Sequence, residues 1–282
     1  MRIANVAGRL AVVDGERAID VERASAGLFA ADPQAIYADW DAFRAWAAAA
    51  ALPAGEPFTP DQLGPPVPRP SQVFAIGLNY DAHAAEVDLV DDGTSGPPVF
   101  TKFPSCLTGP FADVVHPGGS LDWEVELVVV IGRHCRHVPA ADGWSSVAGL
   151  TVGQDLSERI LQHEGRLPQF SLGKSYEGFG PIGPWVVTPD ELENADDIEL
   201  WCEVNGERVQ HATTRQLIQT VPQLVARLSS ITGLLPGDII FSGTPAGVGL
   251  AHMPPRFLSA GDVIVSHIAG IGEMRTRIVA HS

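Results

Sequence analysis

Carboxylates stand at every second position near the start of the stretch Ser120 to Arg133, SLDWEVELVVVIGR. On an extended strand the side chains alternate, so Asp122, Glu124 and Glu126 share one face with Val128 and Val130. Trp123, Val125, Leu127, Val129 and Ile131 take the other. A run this apolar is suited to burial on both faces, where neighbouring carboxylates lose hydration and repel one another unless a cation sits among them. Two such oxygen ligands, joined by a third from elsewhere, suit Mg²⁺, Mn²⁺ or Ca²⁺ better than zinc. A solvated strand start would carry the same spacing.

A second group with chemical potential is His83 and Glu86, on a helix that Asn79 or Asp81 can cap after a short strand over Gln72 to Gly77 (QVFAIG). Residues three apart on a helix meet, and a carboxylate beside an imidazole fixes its tautomer and raises its basicity, as a general base acting on water requires. An ordinary surface pair has the same spacing. Lysine is scarce: Lys102, on a strand Val99 to Phe103, and Lys174, in LGKSYEGFGPIGP, are the only two against sixteen arginines. Either they sit where a compact, tunable ammonium is needed and guanidinium would not serve, or they are chance survivors on a lysine-poor surface.

Asp155 closes a strand-to-turn segment, LTVGQD, and is followed by a helix over Leu156 to Glu164. Arg159 and Gln162 then lie four and seven residues further on and can point the same way, although an ordinary Asp–Arg pair would look alike. Gly243 to Gly249 (GTPAGVG) lacks a P-loop lysine, and LAHMPP after it cannot continue as a nucleotide-binding helix. A substrate-contacting turn is the better reading, with Thr244 able to donate to a carboxylate. Arg133 to His137 (RHCRH) crowds its donors together with no second pair following, which argues against zinc.

Several elements must hold these groups in place. Met1 to about Pro70 reads as a small α/β unit, with short strands at Arg2–Val6, Leu10–Val13 and Ala18–Val21 and a helix over Asp39 to Leu52 carrying Trp40, Phe43, Trp46 and Ala47 on one stripe, Asp39 as its cap. A connector rich in proline and glycine closes it, leaving residues 71–282 as the larger unit. Val90 to Pro98 is polar and glycine-bearing, fit for a lid. Strands at Trp185–Thr188 and Ile198–Val204, an Asn205-Gly206 hairpin, a Thr220-capped helix, and two Gly-Asp turns feeding IIFSG and VIVSH complete a β-rich α+β pattern. The formal net charge of −16 with no basic block disfavours nucleic acid and anionic lipid, and the longest apolar run is too short for a membrane span. Cys106, Cys135 and Cys202 form no CxxC pair, and the chain start lacks the layout of a signal peptide, which together suggest a reducing cytoplasm.

The motifs GLNYDAHAAE, FTKFPS, DWEVELVVVIG, GQDLSERILQ, LGKSY, VNGE, GDIIFSGTPAGVG and GIGEMRTRI resemble, in this order, the fumarylacetoacetate hydrolase family over about Gln72 to Val279. The resemblance implies a mixed β-sandwich roll, normally a homodimer, with Mg²⁺ or Mn²⁺ held by Glu124, Glu126 and Asp155. It further implies His83 and Glu86 as a water-activating dyad on a lid, Lys174 as a cation steadying developing negative charge, and Arg159, Gln162 and Thr244 as substrate contacts. Lys102 also falls at a family-like position. The acidic ligand that the animal enzymes carry upstream of the dyad histidine has no match near Gly77, as in the smaller bacterial relatives.

The chemistry this implies is hydrolysis of a carbon–carbon bond in a 2,4-diketo acid of the acylpyruvate or fumarylpyruvate type, with a small 2-oxo or diketo acid as the only partner besides a second copy. Similar sites in the family decarboxylate oxaloacetate or isomerise unsaturated 2-oxo dicarboxylic acids such as 2-hydroxyhepta-2,4-diene-1,7-dioate. A non-catalytic protein binding metal or organic acid is the reading of another class, and it leaves His83, Glu86 and Lys174 without a task. Tyr80, Phe170, Tyr176, Phe179 and Trp185 could line a pocket for the substrate tail or belong to the core.

Overall fold

The computed structural model describes residues 1–86 and 96–281. Most of the Val90 to Pro98 stretch expected to form a lid therefore lies outside the described residues. The chain is a strand-rich α+β fold whose centre is the strand Val125–Ile131, with all seven residues buried. It pairs antiparallel with Val147–Gln154 on one side and Ile239–Phe241 on the other. The large sheet runs on through Gly180–Val187 to the N-terminal strands Arg2–Val6, Arg9–Asp14 and Arg17–Asp20. In the opposite direction Ile239–Phe241 pairs parallel with Val73–Ile76, which pairs with Val99–Thr101. A second, five-stranded sheet contains Glu199–Val204, Glu207–Thr213, Val263–Ile268 and Gly272–Val279.

Period-two alternation decides how the layers stack. Val125, Leu127, Val129 and Ile131 pack in one core with Leu200, Cys202, Val204, Ile264 and Ile268 of the second sheet. Val128 and Val130 face the other way, into a core with Tyr37, Trp40 and Phe43 at the helix Trp40–Ala49. Each of these aliphatic side chains stabilises the fold by about 1.5–3 kcal/mol on burial, so the strand cannot slip by one residue without exchanging both cores. Glu126 shares the face of Val128 and Val130, and the sheet thereby fixes its direction.

Local structure departs from expectation where side chains replace backbone partners. The acidic stretch is two strands rather than one: Leu121–Asp122 pairs with Ser157–Glu158, and Val125–Ile131 begins after a break. At the break the Gln154 side-chain oxygen accepts from the Glu124 N–H at 2.9 Å, and the Gln210 side-chain oxygen accepts from the Val125 N–H at 3.0 Å. The helix expected over Leu156 to Glu164 shrinks to Arg159–Gln162, capped by Glu158, whose carboxylate accepts from the Ile160 and Leu161 N–H groups. Asp155 thus ends a strand instead of starting a helix. Asp39 precedes the Trp40–Ala49 helix but makes no capping bond, because a 3₁₀ turn runs straight into it and denies Asp39 the extended backbone a cap needs.

Other signals held. Asn205 and Gly206 have φ of 53° and 81°, the pair of positive values that a two-residue hairpin of this hand requires. Thr220 precedes the helix Val221–Ile231, and its N–H donates to the Gln223 side chain at 2.9 Å. Among the described residues no helix is long and apolar enough to cross a membrane.

Candidate active site

Glu124, Glu126 and Asp155 converge from the strand break, the acidic strand and the end of Val147–Gln154. One oxygen from each lies within 4.8 Å of the others, and all three side chains are buried. Among the described residues this is the only such group of His, Cys, Asp and Glu; Arg133 to His137 forms none. Asp122 stays outside it. Its carboxylate accepts from Arg159 Nε at 2.8 Å and from the Gly249 and Leu250 N–H groups at 2.7 and 2.9 Å.

Burial disfavours a charge on Glu126, and the neighbouring Asp155 and Glu124 add repulsion, so its carboxyl is held well above the usual range. Burial acts on Glu124 in the same sense, but Lys174 and Arg159 outweigh it and hold that carboxyl below its ordinary value. Of the three, Glu126 is the carboxyl that burial first and its two neighbours second drive to keep a proton, and a further positive charge among them is what would let it ionise. The donors are all hard oxygens, and the set fits Mg²⁺ or Mn²⁺.

Both lysines of the chain meet here. Lys174 Nζ donates to Glu124 Oε2 at 2.8 Å, Asp155 Oδ2 at 2.8 Å and Ser157 Oγ at 2.7 Å. Lys102 Nζ donates to Asp155 Oδ1 at 2.6 Å and to the Lys174 carbonyl. Their exposures are 2% and 0%, and both are compact ammonium groups in closed surroundings: Lys174 meets three acceptors and Lys102 two, an arrangement that a broad planar guanidinium would not reproduce. Burial pushes the Lys174 ammonium down, but Asp155 and Glu124 reverse the effect and raise it, so it stays charged. Lys102 sits behind Asp155 and does not line the cleft.

Arg159 bridges the two acidic groups, with Nη2 2.7 Å from Glu124 Oε1 and Nη1 donating to Gln162 Oε1 at 2.8 Å. Above them opens a cleft of about 160 Å³, to which Glu124, Glu126, Arg159, Gln162, Lys174 and Thr244 contribute. His83, on the helix Asp81–Glu86, lines the same cleft, and its Nδ1 lies 2.7 Å from Glu86 Oε1. An ionised Glu86 only accepts, so this contact assigns the proton to Nδ1 and leaves Nε2 as the basic nitrogen.

The GTPAGVG turn positions more than its sequence revealed. The Gly243 N–H donates to Glu126 Oε2 at 2.7 Å, and the Gly247 N–H to Glu86 Oε2 at 2.8 Å. One turn therefore orients a carboxylate of the acidic trio and the carboxylate of the dyad. Thr244 lines the cleft, and within the chain its hydroxyl donates to the Val125 carbonyl at 3.0 Å and accepts from Gln210 at 2.8 Å. The Asn79 side chain is used elsewhere than as a helix cap: its oxygen accepts from the Gln219 N–H at 2.8 Å, and its amide donates to the Gln219 carbonyl and to that of Ser242, the residue before the same turn. Of the five aromatics considered for a tail pocket, Phe170 lines the cleft and the other four do not.

The model of the fumarylacetoacetate hydrolase C-terminal family matches residues 72–279, and the chain belongs to that family. A presumptive hydrolase of Burkholderia multivorans is 45% identical over 225 residues, covering 79% of this chain and 77% of its own length. The crystal structure of a presumptive HpcE protein from Mycobacterium smegmatis is 52% identical and superposes with a TM-score of 0.96 over 100% of both chains. That of maleylpyruvate hydrolase from Sphingobium sp. SYK-6, in complex with manganese(II) and pyruvate, is 30% identical with a TM-score of 0.78, again over 100% of both.

Proposed function

We propose that this protein is a divalent-metal-dependent hydrolase that cleaves a carbon–carbon bond in a 2,4-diketo acid, yielding pyruvate and a carboxylic acid. The observation that carries the reading is the His83–Glu86 contact of 2.7 Å, with His83 lining the same cleft as Glu124 and Glu126 of the acidic trio. Glu124, Glu126 and Asp155 would hold Mg²⁺ or Mn²⁺, which when bound supplies Lewis acidity toward the oxygens of the 2-oxo acid end. The manganese and pyruvate in the maleylpyruvate hydrolase relative support this choice of ion and of product.

The residues of the chain account for the proton movements. His83 Nε2 takes a proton from water as the oxygen adds to the distal carbonyl carbon, and Glu86 steadies the resulting imidazolium. The bond between the third and fourth carbons then breaks. Its electron pair leaves as the enolate of pyruvate, beside the fixed positive charge of Lys174, and the imidazolium returns a proton to it. The balance is one water consumed, one carboxylic acid and one pyruvate released.

The dyad favours hydrolysis over its relatives' chemistries, because tautomerisation needs only proton shuttling and decarboxylation needs no activated water. A panel of acylpyruvates, oxaloacetate and unsaturated 2-oxo dicarboxylates, assayed with Mn²⁺ and with pyruvate and carboxylic acid both quantified, tests the proposal. Equal yields of the two products from an acylpyruvate are expected. Turnover of oxaloacetate or of the dienoate with no diketo acid cleaved would assign a decarboxylase or an isomerase instead, and activity unchanged in His83→Ala would remove the dyad.

A further inference from the structure

One side chain reaches from the second sheet to parts of the site that the first sheet holds. Gln210 lies on the strand Glu207–Thr213 with 1% exposure, and it does not itself line the cleft. Its side-chain oxygen accepts from the Val125 N–H at 3.0 Å, next to Glu124 at the strand break. Its amide donates to Thr244 Oγ1 and to the Pro245 carbonyl, each at 2.8 Å. Closing the strand break needs only the oxygen. Both N–H bonds go to the GTPAGVG turn, whose Gly243 N–H holds Glu126 and whose Gly247 N–H holds Glu86.

Two further observations show strand and turn fitted to each other. The pairing of Glu207–Thr213 with Glu199–Val204 slips by one residue here: Gln210 faces Cys202 and Arg208 faces Glu203, which leaves Val209 over as a bulge. Bulges bend a strand and re-aim its side chains. A Cβ on Gly247 would strike the Val209 carbonyl oxygen and come within 3.3 Å of Gln210 Cγ, so the turn packs directly on the bulge and on the stem of the glutamine. The amide grips the turn at Thr244 and Pro245, and the stem supports it at Gly247.

We infer that Gln210 is a positioning residue for the whole site, setting through one turn both the Glu126 carboxylate of the acidic trio and the Glu86 carboxylate of the dyad. Its amide donates to neither carboxylate and acts through the Gly243 and Gly247 N–H groups. Losing a buried hydrogen bond costs stability wherever it lies, whereas a positioning role also predicts changes at His83 and at the metal site. The inference rests on the proposed function for the tasks of trio and dyad, and its two readouts use no substrate.

Gln210→Met keeps the length of the side chain and removes its hydrogen bonds, while Gln210→Asn keeps the amide but stops short of the turn. Nuclear magnetic resonance of isotopically labelled histidine nitrogens, in metal-free protein at alkaline pH with His83→Ala to identify the signal, reads the first effect. Wild-type His83 is expected as the Nδ1–H tautomer that Glu86 holds, and both variants as a mixture dominated by Nε2–H, the form a free imidazole prefers. Mn²⁺ titration followed by electron paramagnetic resonance reads the second, with affinity expected to fall by about 10- to 100-fold in both. Ile264→Val, in the core of the same sheet, controls for general loosening and is expected to change neither readout. Either readout unchanged in both Gln210 variants overturns the inference, as does an equal change in Ile264→Val. A wild-type protein that binds no Mn²⁺ overturns the proposed metal site, and the tautomer then decides the inference by itself. Failure to cleave any diketo acid overturns the hydrolase reading alone.

Discussion

A histidine held at Nδ1 by a carboxylate offers its other nitrogen to a proton, and His83 is so held. His83→Ala is expected to lower kcat on an acylpyruvate by about 100- to 10,000-fold, with Mn²⁺ affinity unchanged because no ligand of the ion is touched; steady-state kinetics and metal titration check the two halves. Glu126 yields a pH dependence. Its proton is held well above the ordinary carboxylate range by burial, Asp155 and Glu124. Binding a divalent ion must expel that proton, so affinity rises as pH climbs from the ordinary range to the raised value, by up to about tenfold per unit, and then levels. Calorimetry across pH, in buffers of different ionisation enthalpy, measures the proton released; affinity independent of pH would contradict it. The same shift makes the metal-free fold lose stability as pH rises through that window, since the native state there binds more protons than the unfolded chain. Glu124 acts in the opposite sense, adding stability as pH rises through its ordinary range.

At the scale of elements the GTPAGVG turn binds the site together, and its glycines are constrained by more than freedom of φ. A Cβ on Gly247, where φ is 104°, would strike the Val209 carbonyl oxygen, while one on Gly261, where φ is 101°, would meet nothing within 4 Å. Both alanine variants pay a conformational cost of about 1–3 kcal/mol. Only Gly247→Ala is expected also to displace the N–H that holds Glu86, so it should lose activity far beyond Gly261→Ala at matched folded fraction, read by thermal melts alongside kinetics. This link was illegible in the sequence because Gly247 and Glu86 lie 161 positions apart and the contact runs through a backbone N–H, which leaves no mark on residue type. The two-faced core of Val125–Ile131 was legible, because alternation is local. Its break at Glu124 was not, since the side chains of Gln154 and Gln210 stand in for a strand partner. Lysine scarcity did point to the site, and what it could not say was that Lys102 serves Asp155 from behind.

Over the whole molecule, residues of the two sheets share one core, and the chain that carries the acidic trio has a net charge of −16. The proposed substrate, a diketo acid, would be an anion approaching a negative body, and its encounter would be slowed by that field until salt screens it. Raising ionic strength from about 10 to about 150 mM, where the screening length falls to about 8 Å, is expected to raise kcat/KM and leave kcat unchanged. A fall in kcat/KM would mean that Lys174 and Arg159, the cations lining the cleft, dominate the potential there.

Glu124, Glu126 and Asp155 are placed to close on a single divalent ion, and Mn²⁺ titration followed by electron paramagnetic resonance is the decisive measurement. One Mn²⁺ per chain is predicted, weakened by about 100-fold or more in each of Glu124→Gln, Glu126→Gln and Asp155→Asn and unaffected in His83→Ala. Affinity in the three carboxamide variants equal to that of the wild-type protein would mean that these carboxylates do not hold the ion.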